Sequence, residues 1–433
     1  MARLRQLIVY RGIMQDPVMA AVQEMLDCEN ARQRMDKACE LAGRLIEKAE
    51  QYLLEGNIME AWIWHLILND VNPFSLDCER RSAGDSGSLY QAVLWDMGIL
   101  KSVVAKVQEE LESAGLQKIT RQYVRDTKGK DGRLPARRRR DILAGFLQTL
   151  SFADPACQAS SIADAAKEYY ETNGCGVMAM YPMFRWSQTR GLVGIEYYDD
   201  IRLSDLVGYE YQKRTLIENT SSFVKGRPAN NVLLAGAGGT GKSSSVKALV
   251  NEYFEDGLRL LEMGKEQMPL LPDVMKFLTG RGKRFILFID DLSFEDQETD
   301  YKYIKSLLEG SAEKKPDNVI FYATSNRRHI IQQKWKDRDL NHMDEEVHGI
   351  EAMNEKLSLS QRFGITLTYP VPKQDEYLEI VSHMAAELGV NGDAQELRQK
   401  ALQWALDQKG FSGRSARQFI SAYAAQKQSE GRP

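Results

Sequence analysis

Two patterns of apolar spacing divide the chain. In "MDKACELAGRLIEKAEQYLL", Met35, Ala38, Leu41, Ala42, Leu45, Ala49 and Tyr52 recur every three to four residues and so share one helix face. "LYQAVLWDMGILKSVVAKVQEEL" does the same with Tyr90, Val93, Leu94, Met97, Leu100, Val104, Val107 and Leu111. Residues 1 to about 190 are therefore expected to be mainly helical. "SLDCERRSAGDSGS" and "DTKGKDGRLPARRRR" have loop composition. The second ends in a basic run, Arg137 to Arg140, that leads into the helix "RRRRDILAGFLQTL". That run reads as a solvated loop, because no aromatic residues interleave it as a single-strand platform requires. Contact with nucleic acid or an acidic partner is the alternative.

After residue 200 short apolar runs alternate with helical spacing. "NVLLA", "LRLLEM", "RFILFID", "NVIFYAT" and "GITLTYP" are the candidate strands. Such a succession predicts a largely parallel sheet covered on both faces. From about residue 372 to 428 the helical spacing returns, as expected of a small helical lid. The aromatic stretch "YPMFRWSQTRGLVGIEYYDD" joins the two regions. These readings divide the chain into a helical N-terminal domain (1–195), an α/β core (196–370) and a C-terminal helical lid (371–433).

Composition narrows the classes. The chain has 433 residues, 43% hydrophobic and 27% charged, enough for two or three domains with real cores. Its 57 basic and 61 acidic residues leave a net charge of −4, which is not the balance of a protein dominated by nucleic acid. No apolar run approaches the ~18 residues of a membrane span. The N-terminus offers only "LIVY", too short for a signal peptide. Cys28, Cys39, Cys78, Cys157 and Cys175 are scattered with no CxxC pair, which fits a reduced cytoplasmic protein with ordinary buried or half-buried thiols. The five histidines show no metal spacing beyond a loose His342/His348 pair.

The strongest chemical signal is "LLAGAGGTGKSSSVKAL". Gly236-Ala237-Gly238-Gly239-Thr240-Gly241-Lys242-Ser243 matches GxxxxGK[ST] in full, between a predicted strand and a helix with Val246, Leu249, Val250 and Tyr253 on one face. The glycines let backbone N–H groups close around phosphate oxygens, and Ser244 is counted with them as nucleotide-binding. The helix N-terminus favours the same anion. Lys242 is placed for the β- and γ-phosphates of ATP, and the Ser243 hydroxyl for Mg²⁺. "FILFIDDLSFE" ends a buried strand in two carboxylates at the same sheet edge. Asp290 is the candidate for the Mg²⁺ shell and Asp291 for polarising a water.

The block after residue 202 resembles an AAA+ ATPase module. "LSDLVGYEYQKRTLIENTSSF" resembles the segment before the P-loop, where Val207, Gly208 and Tyr209 would lie against adenine. "FYATSNRR" resembles the sensor-1 strand with Asn326 at its tip and Thr324 as the alternative. "LSLSQRFGITLTYP" resembles the arginine-finger element, with Arg362 reaching a neighbour's nucleotide. Arg327 and Arg328 are the lesser finger candidates. "GFSGRSARQFI" resembles the lid helix of sensor 2, with Arg417 preferred and Arg414 second. The intervals from Lys242 to Asp290, Asp290 to Asn326 and Asn326 to Arg362 each suit one helix, one strand and a loop.

"FIDDLSFE", "YKYIKSLLEG", "YATSNRRHI" and "QDEYLEIV" carry a finer likeness to a bacterial family of AAA+ ATP-binding proteins without an assigned function. The resemblance implies a five-stranded parallel sheet, a C-terminal lid, ATP with Mg²⁺, and a nucleotide-dependent homo-oligomer. It implies hydrolysis that remodels or loads a partner, either a protein or a protein–nucleic acid complex. The usual Asp-Glu pair of these motors is Asp290-Asp291 here. Slow turnover is therefore expected, with Glu295 or Glu298 as substitutes for the shorter Asp291. "EMGKEQMPLLPDV" has no aromatic-glycine pore signature, which argues against a threading unfoldase. Two other readings stay open: a nucleotide-dependent switch or scaffold with little hydrolysis, and a P-loop phosphotransferase.

Overall fold

The computed structural model describes residues 4–80, 87–125, 134–292, 315–326, 363–390, 393–407 and 410–430. It divides into two compact units. The first comprises Met1–Pro182 together with Leu192–Tyr198 and Arg281–Lys283. The second comprises Met183–Gly191, Asp199–Gly280 and Arg284–Pro433.

The first unit is helical. Its described helices are α1 (Pro17–Asp27), α2 (Ala31–Tyr52), α3 (Ile58–Asn69), α4 (Pro73–Glu79), α5 (Ser88–Ser113), α6 (Gln117–Thr120), α7 (Leu134–Thr149) and α8 (Ala159–Asn173). The α2 stripe packs inward through Ala38, Leu41, Ala42, Leu45 and Ala49, while Met35 at its first turns stays exposed. The α5 stripe is buried at every expected position except the half-buried Leu94. Asp16 caps α1 by accepting from the Val18 and Met19 amides, and it also accepts from the Trp62 indole at 2.9 Å.

Three buried carboxylates organise this unit. Asp96 accepts the backbone N–H groups of Ile8, Val9 and Tyr10 at 2.8 to 2.9 Å. Glu60 accepts from Gln108, Ser151 and the Phe152 amide. Glu79 takes both arms of the Arg281 guanidinium at 2.8 and 2.6 Å, and the amides of Cys175 and Gly282. Burial pushes the Glu79 carboxyl up, but the Arg281 hydrogen bonds and charge outweigh it and hold the group down at about 2.

Several loop and surface expectations change. The stretch beginning at Ser75 opens as helix, because Asn72 and Ser75 form a reciprocal cap ahead of α4. The basic run lies within α7, not in the loop before it. Arg138 donates to the Ala179 carbonyl and to Asn173, and the Arg139 guanidinium lies over the Tyr52 ring. Of the cysteines, Cys39 is exposed rather than buried, because its neighbour Ala38 takes the inward position on α2. All five thiols are free.

A mixed, mostly parallel sheet has seven strands, all but β2 within the second unit: β1 (Met183–Ser187), β2 (Gly191–Gly194), β3 (Val232–Gly236), β4 (Leu258–Glu262), β5 (Arg284–Ile289), β6 (Val319–Ser325) and β7 (Ile365–Tyr369). The order is β2-β1-β4-β5-β6-β3-β7. The last five strands are those expected from the sequence. The other two come from the aromatic joining stretch, and β1 pairs in parallel with β4 from Met183 opposite Leu260. Strands β3 and β6 are buried along their whole length, as central parallel strands between helix layers must be.

Around the sheet lie α9 (Glu210–Val224), α10 (Lys242–Tyr253) and α11 (Leu271–Thr279). The lid consists of α12 (Gln374–Glu387), α13 (Ala394–Asp407) and α14 (Gly413–Glu430). It has its own core of Tyr377, Leu378, Val381, Ala401, Phe419 and Ile420. No described helix is long and apolar enough to cross a membrane.

Candidate nucleotide-binding site

Strand β3 delivers the P-loop to the carboxyl edge of the sheet. Its last residue, Gly236, has φ +154, and a Cβ there would lie 2.2 Å from the Tyr369 carbonyl of β7. Only glycine lets the chain leave the sheet so close to its neighbour. The loop then enters α10, anchored below by buried Val246, Leu249 and Val250. The first amides of α10 have no partner within the helix and carry its positive end. The segment between β2 and α9 is tied to the same helix. Asn251 donates to the carbonyls of Asp199 and Ile201, and Glu252 accepts the Leu203 amide.

Strand β6 lies between β3 and β5, so its tip separates the P-loop from the acidic turn. A closed circuit of hydrogen bonds results. Ser243 Oγ donates to Asp290 Oδ1 at 2.7 Å. Thr324 Oγ1 donates to the same oxygen at 2.5 Å and accepts the Asp291 amide at 2.9 Å. Asp291 Oδ1 accepts from Asn326 Nδ2 at 2.7 Å. Asn326 Oδ1 accepts from Lys242 Nζ at 3.0 Å, and Lys242 adjoins Ser243 in the chain.

Lys242 also donates to the carbonyls of Gly236 and Ala237 at 2.9 and 2.7 Å. Burial lowers its pKa; the nearby Asp290 and Asp291 charges oppose that shift, and Arg414 adds to it. A desolvated ammonium whose three hydrogen bonds go to neutral acceptors is suited to an incoming anion. That chemistry fits a phosphate chain at Lys242 and a hard cation at Ser243 and Asp290.

These groups line one cleft of about 1040 Å³. Gly238, Gly239, Thr240, Gly241, Lys242, Ser243 and Ser244 line it together with Asp290, Asp291, Thr324 and Asn326. Gly236 and Ala237 contribute through their carbonyls. Val207 and Tyr209 also line it, joined by Gly208 with φ +78. Tyr209 donates to the Pro370 carbonyl at 2.8 Å, and its ring lies 4.9 Å from that of Tyr369.

The lid closes the cleft through Arg414 and Arg417. Gly413 donates its amide to the Gly239 carbonyl, and the Arg414 stem packs beside Gly239. Arg414 therefore stands at the P-loop itself, and Arg417 lies one turn further along α14.

Arg362, Glu295, Glu298, Arg327, Arg328, His342 and His348 lie outside the described residues. Among the described residues no group of three or more His, Cys, Asp or Glu side chains is placed to hold a metal by itself. Sequence reasoning missed the apolar lid face, Ile380 and Met384, which lines the cleft with Val207. Their spacing of one helical turn in α12 was the available signal.

A P-loop at β3, an acidic turn at β5, a polar tip on β6 between them and a helical lid define an AAA+ nucleotide-binding module. The chain belongs to the family described as "Protein of unknown function (DUF815)", whose model matches residues 179–427. It is also similar to the replication factor C large subunit of Methanococcus maripaludis strain C6, 33% identical over 109 residues. That match covers 24% of this chain and 22% of that subunit. The large subunit from Staphylothermus marinus is 30% identical over 121 residues, covering 26% of this chain and 27% of its own. The chain thus spans about a quarter of the length of these curated relatives. Among solved structures, the Thermotoga maritima RuvB Holliday junction branch migration motor aligns over 51% of this chain and 71% of its own, at 15% identity and a TM-score of 0.31.

Proposed function

We propose that this protein is an AAA+ ATPase that binds ATP with Mg²⁺ and couples hydrolysis to remodelling or loading of a partner macromolecule. The circuit from Ser243 through Asp290, Thr324, Asp291 and Asn326 to Lys242 carries the reading. It gathers a metal-binding hydroxyl and carboxylate, a water-directing carboxylate and a phosphate-binding ammonium at one sheet edge. Lys242 leaves its backbone carbonyls for the phosphate chain, Asp291 orients the water, and Asn326 holds both in register. Ser243 and Asp290 would hold the Mg²⁺, which would supply neutralisation of the phosphate charge. Arg414 and Arg417 add positive charge from the lid where negative charge develops.

The protein is proposed to act in the cytoplasm as a homo-oligomer that forms with nucleotide, Arg362 reaching a neighbour's site. The helical unit is the proposed partner-recognition element. The partner is a protein, alone or bound to nucleic acid. The engagement of Arg138 and Arg139 inside their own unit weighs against the basic run as a nucleic-acid surface.

The test is steady-state turnover with particle mass in ATP and in ADP. Turnover above background that disappears in Asp291→Asn and Lys242→Ala, with a larger particle in ATP that Arg362→Ala loses, supports the reading. A monomer whose turnover survives Arg362→Ala points instead to a phosphotransferase. A second reading, a nucleotide switch with little hydrolysis, draws on the Asn326 hydrogen bond that already occupies the short Asp291 carboxylate. ATP-dependent assembly without turnover would favour it.

A further inference from the structure

Thr324 is 2% exposed, yet it bonds to three consecutive residues of the turn after β5. Its hydroxyl donates to Asp290 Oδ1 and accepts the Asp291 amide. Its carbonyl accepts the Leu292 amide at 2.7 Å. Between those anchors Asp291 has φ +54, a left-handed conformation uncommon outside glycine and best tolerated by aspartate and asparagine. Such a conformation persists where its surroundings over-determine it. The β6 backbone beside Thr324 is itself fixed, since Leu234 of β3 stands in register with it.

We propose that Thr324 is a positioning residue that aims both aspartates with one hydroxyl. Its proton fixes the Asp290 carboxylate beside Ser243. Its lone pair holds the Asp291 amide, and so keeps the left-handed turn that carries the Asp291 carboxylate to Asn326. Removing the hydroxyl frees Asp290 to rotate and lets Asp291 relax toward negative φ, away from Asn326. The proposal deepens the ATPase reading and rests on it for the role of Asp291. The hold on Asp290 is independent of turnover.

The test compares wild type, Thr324→Val and Thr324→Ser. Valine keeps the branched shape and loses the hydroxyl, whereas serine keeps the hydroxyl. We expect Thr324→Val to lower kcat by about ten- to a hundredfold, with KM for ATP within about threefold, and Thr324→Ser to recover most of the loss. In titrations of a fluorescent ATP analogue, Thr324→Val should bind the metal-free nucleotide as wild type does, yet need about tenfold more Mg²⁺ to reach the metal-bound signal.

The proposal is overturned if Thr324→Val matches wild type in kcat and Mg²⁺ requirement. It is equally overturned if valine and serine variants lose metal-free binding together, the mark of a merely structural residue. Should the valine variant fail to fold, the serine variant decides: a wild-type Mg²⁺ requirement supports the hydroxyl, and a raised one overturns it. If wild type itself shows no turnover, the hydrolysis reading fails, and the Mg²⁺ titration alone decides whether Thr324 holds Asp290.

Discussion

Gly413 donates its backbone N–H to the carbonyl of Gly239 at 2.9 Å, so the first turn of the lid helix rests on the phosphate loop. A Cβ at Gly239 would lie 3.1 Å from the Arg414 Cβ and 3.2 Å from Ser412, at a φ of +77. Gly239→Ala therefore meets backbone strain and displaces the lid at once. Charged against the bound conformation, the left-handed cost of about 1–2 kcal/mol corresponds to a loss of ATP affinity of about five- to thirtyfold. A nucleotide titration with wild type and variant checks this, and unchanged affinity would refute the close lid contact.

Asn326 serves two neighbours through one amide, donating to Asp291 and accepting from Lys242. Asn326→Asp keeps an acceptor for the lysine but sets a second carboxylate against Asp291. We expect kcat to fall by about tenfold or more while ATP binding survives, since like charges in contact disfavour the geometry. Asn326→Ala should also slow turnover, without that repulsion. Steady-state kinetics on both variants, with ATP binding measured separately, provide the check.

The Glu79–Arg281 pair makes the helical unit acid-sensitive. With a folded pKa of about 2, below an unfolded value of roughly 4.3, Glu79 stabilises the protein above pH ~4.3 and loses that contribution as pH falls toward 2. Its full size is on the order of 3 kcal/mol. Glu79→Gln leaves the Arg281 charge buried without a carboxylate, so we expect a loss of about 3–5 kcal/mol at neutral pH. Urea melts from pH 7 down to pH 2 should show the two proteins converging as the pH drops. A gap that stays constant with pH would contradict the assignment.

Arg138 is proposed to act through structure. Arg138→Ala removes charged hydrogen bonds to the Ala179 carbonyl and to Asn173, and should cost about 1.5–3 kcal/mol. The thermal midpoint should drop, while any affinity for single- or double-stranded DNA, measured by anisotropy, should stay as in wild type. A selective loss of DNA binding without loss of stability would restore the nucleic-acid reading of that run.

The phosphate loop and acidic strand were legible because local sequence dictates them: a glycine-rich turn between an apolar strand and an amphipathic helix has few other uses. The α2 and α5 stripes were legible for the same local reason. Strand β1 was not, because Met183 and Phe184 gain their strand identity only by pairing with Leu260 and Leu261, far along the chain. The helical start of α4 was hidden behind polar residues that turn out to be its cap. Aspartate tolerates the left-handed turn at Asp291, but the hydroxyl that holds it comes from another strand and leaves no local mark. The lid motif favoured Arg417 over Arg414, yet the backbone contact of Gly413 sets Arg414 beside the loop.

The closed circuit has a thermodynamic consequence. The side chains of the circuit that would receive a nucleotide already hold partners: Lys242 on two carbonyls and an amide, Ser243 on Asp290, Asn326 on Asp291. Ligand entry is therefore a trade of old bonds for new, and the heat it releases is the difference between two well-bonded sets. Affinity must then draw heavily on charge and on apolar contact with Val207, Ile380 and Met384. Calorimetry of nucleotide binding should give a modest enthalpy with a negative heat-capacity change.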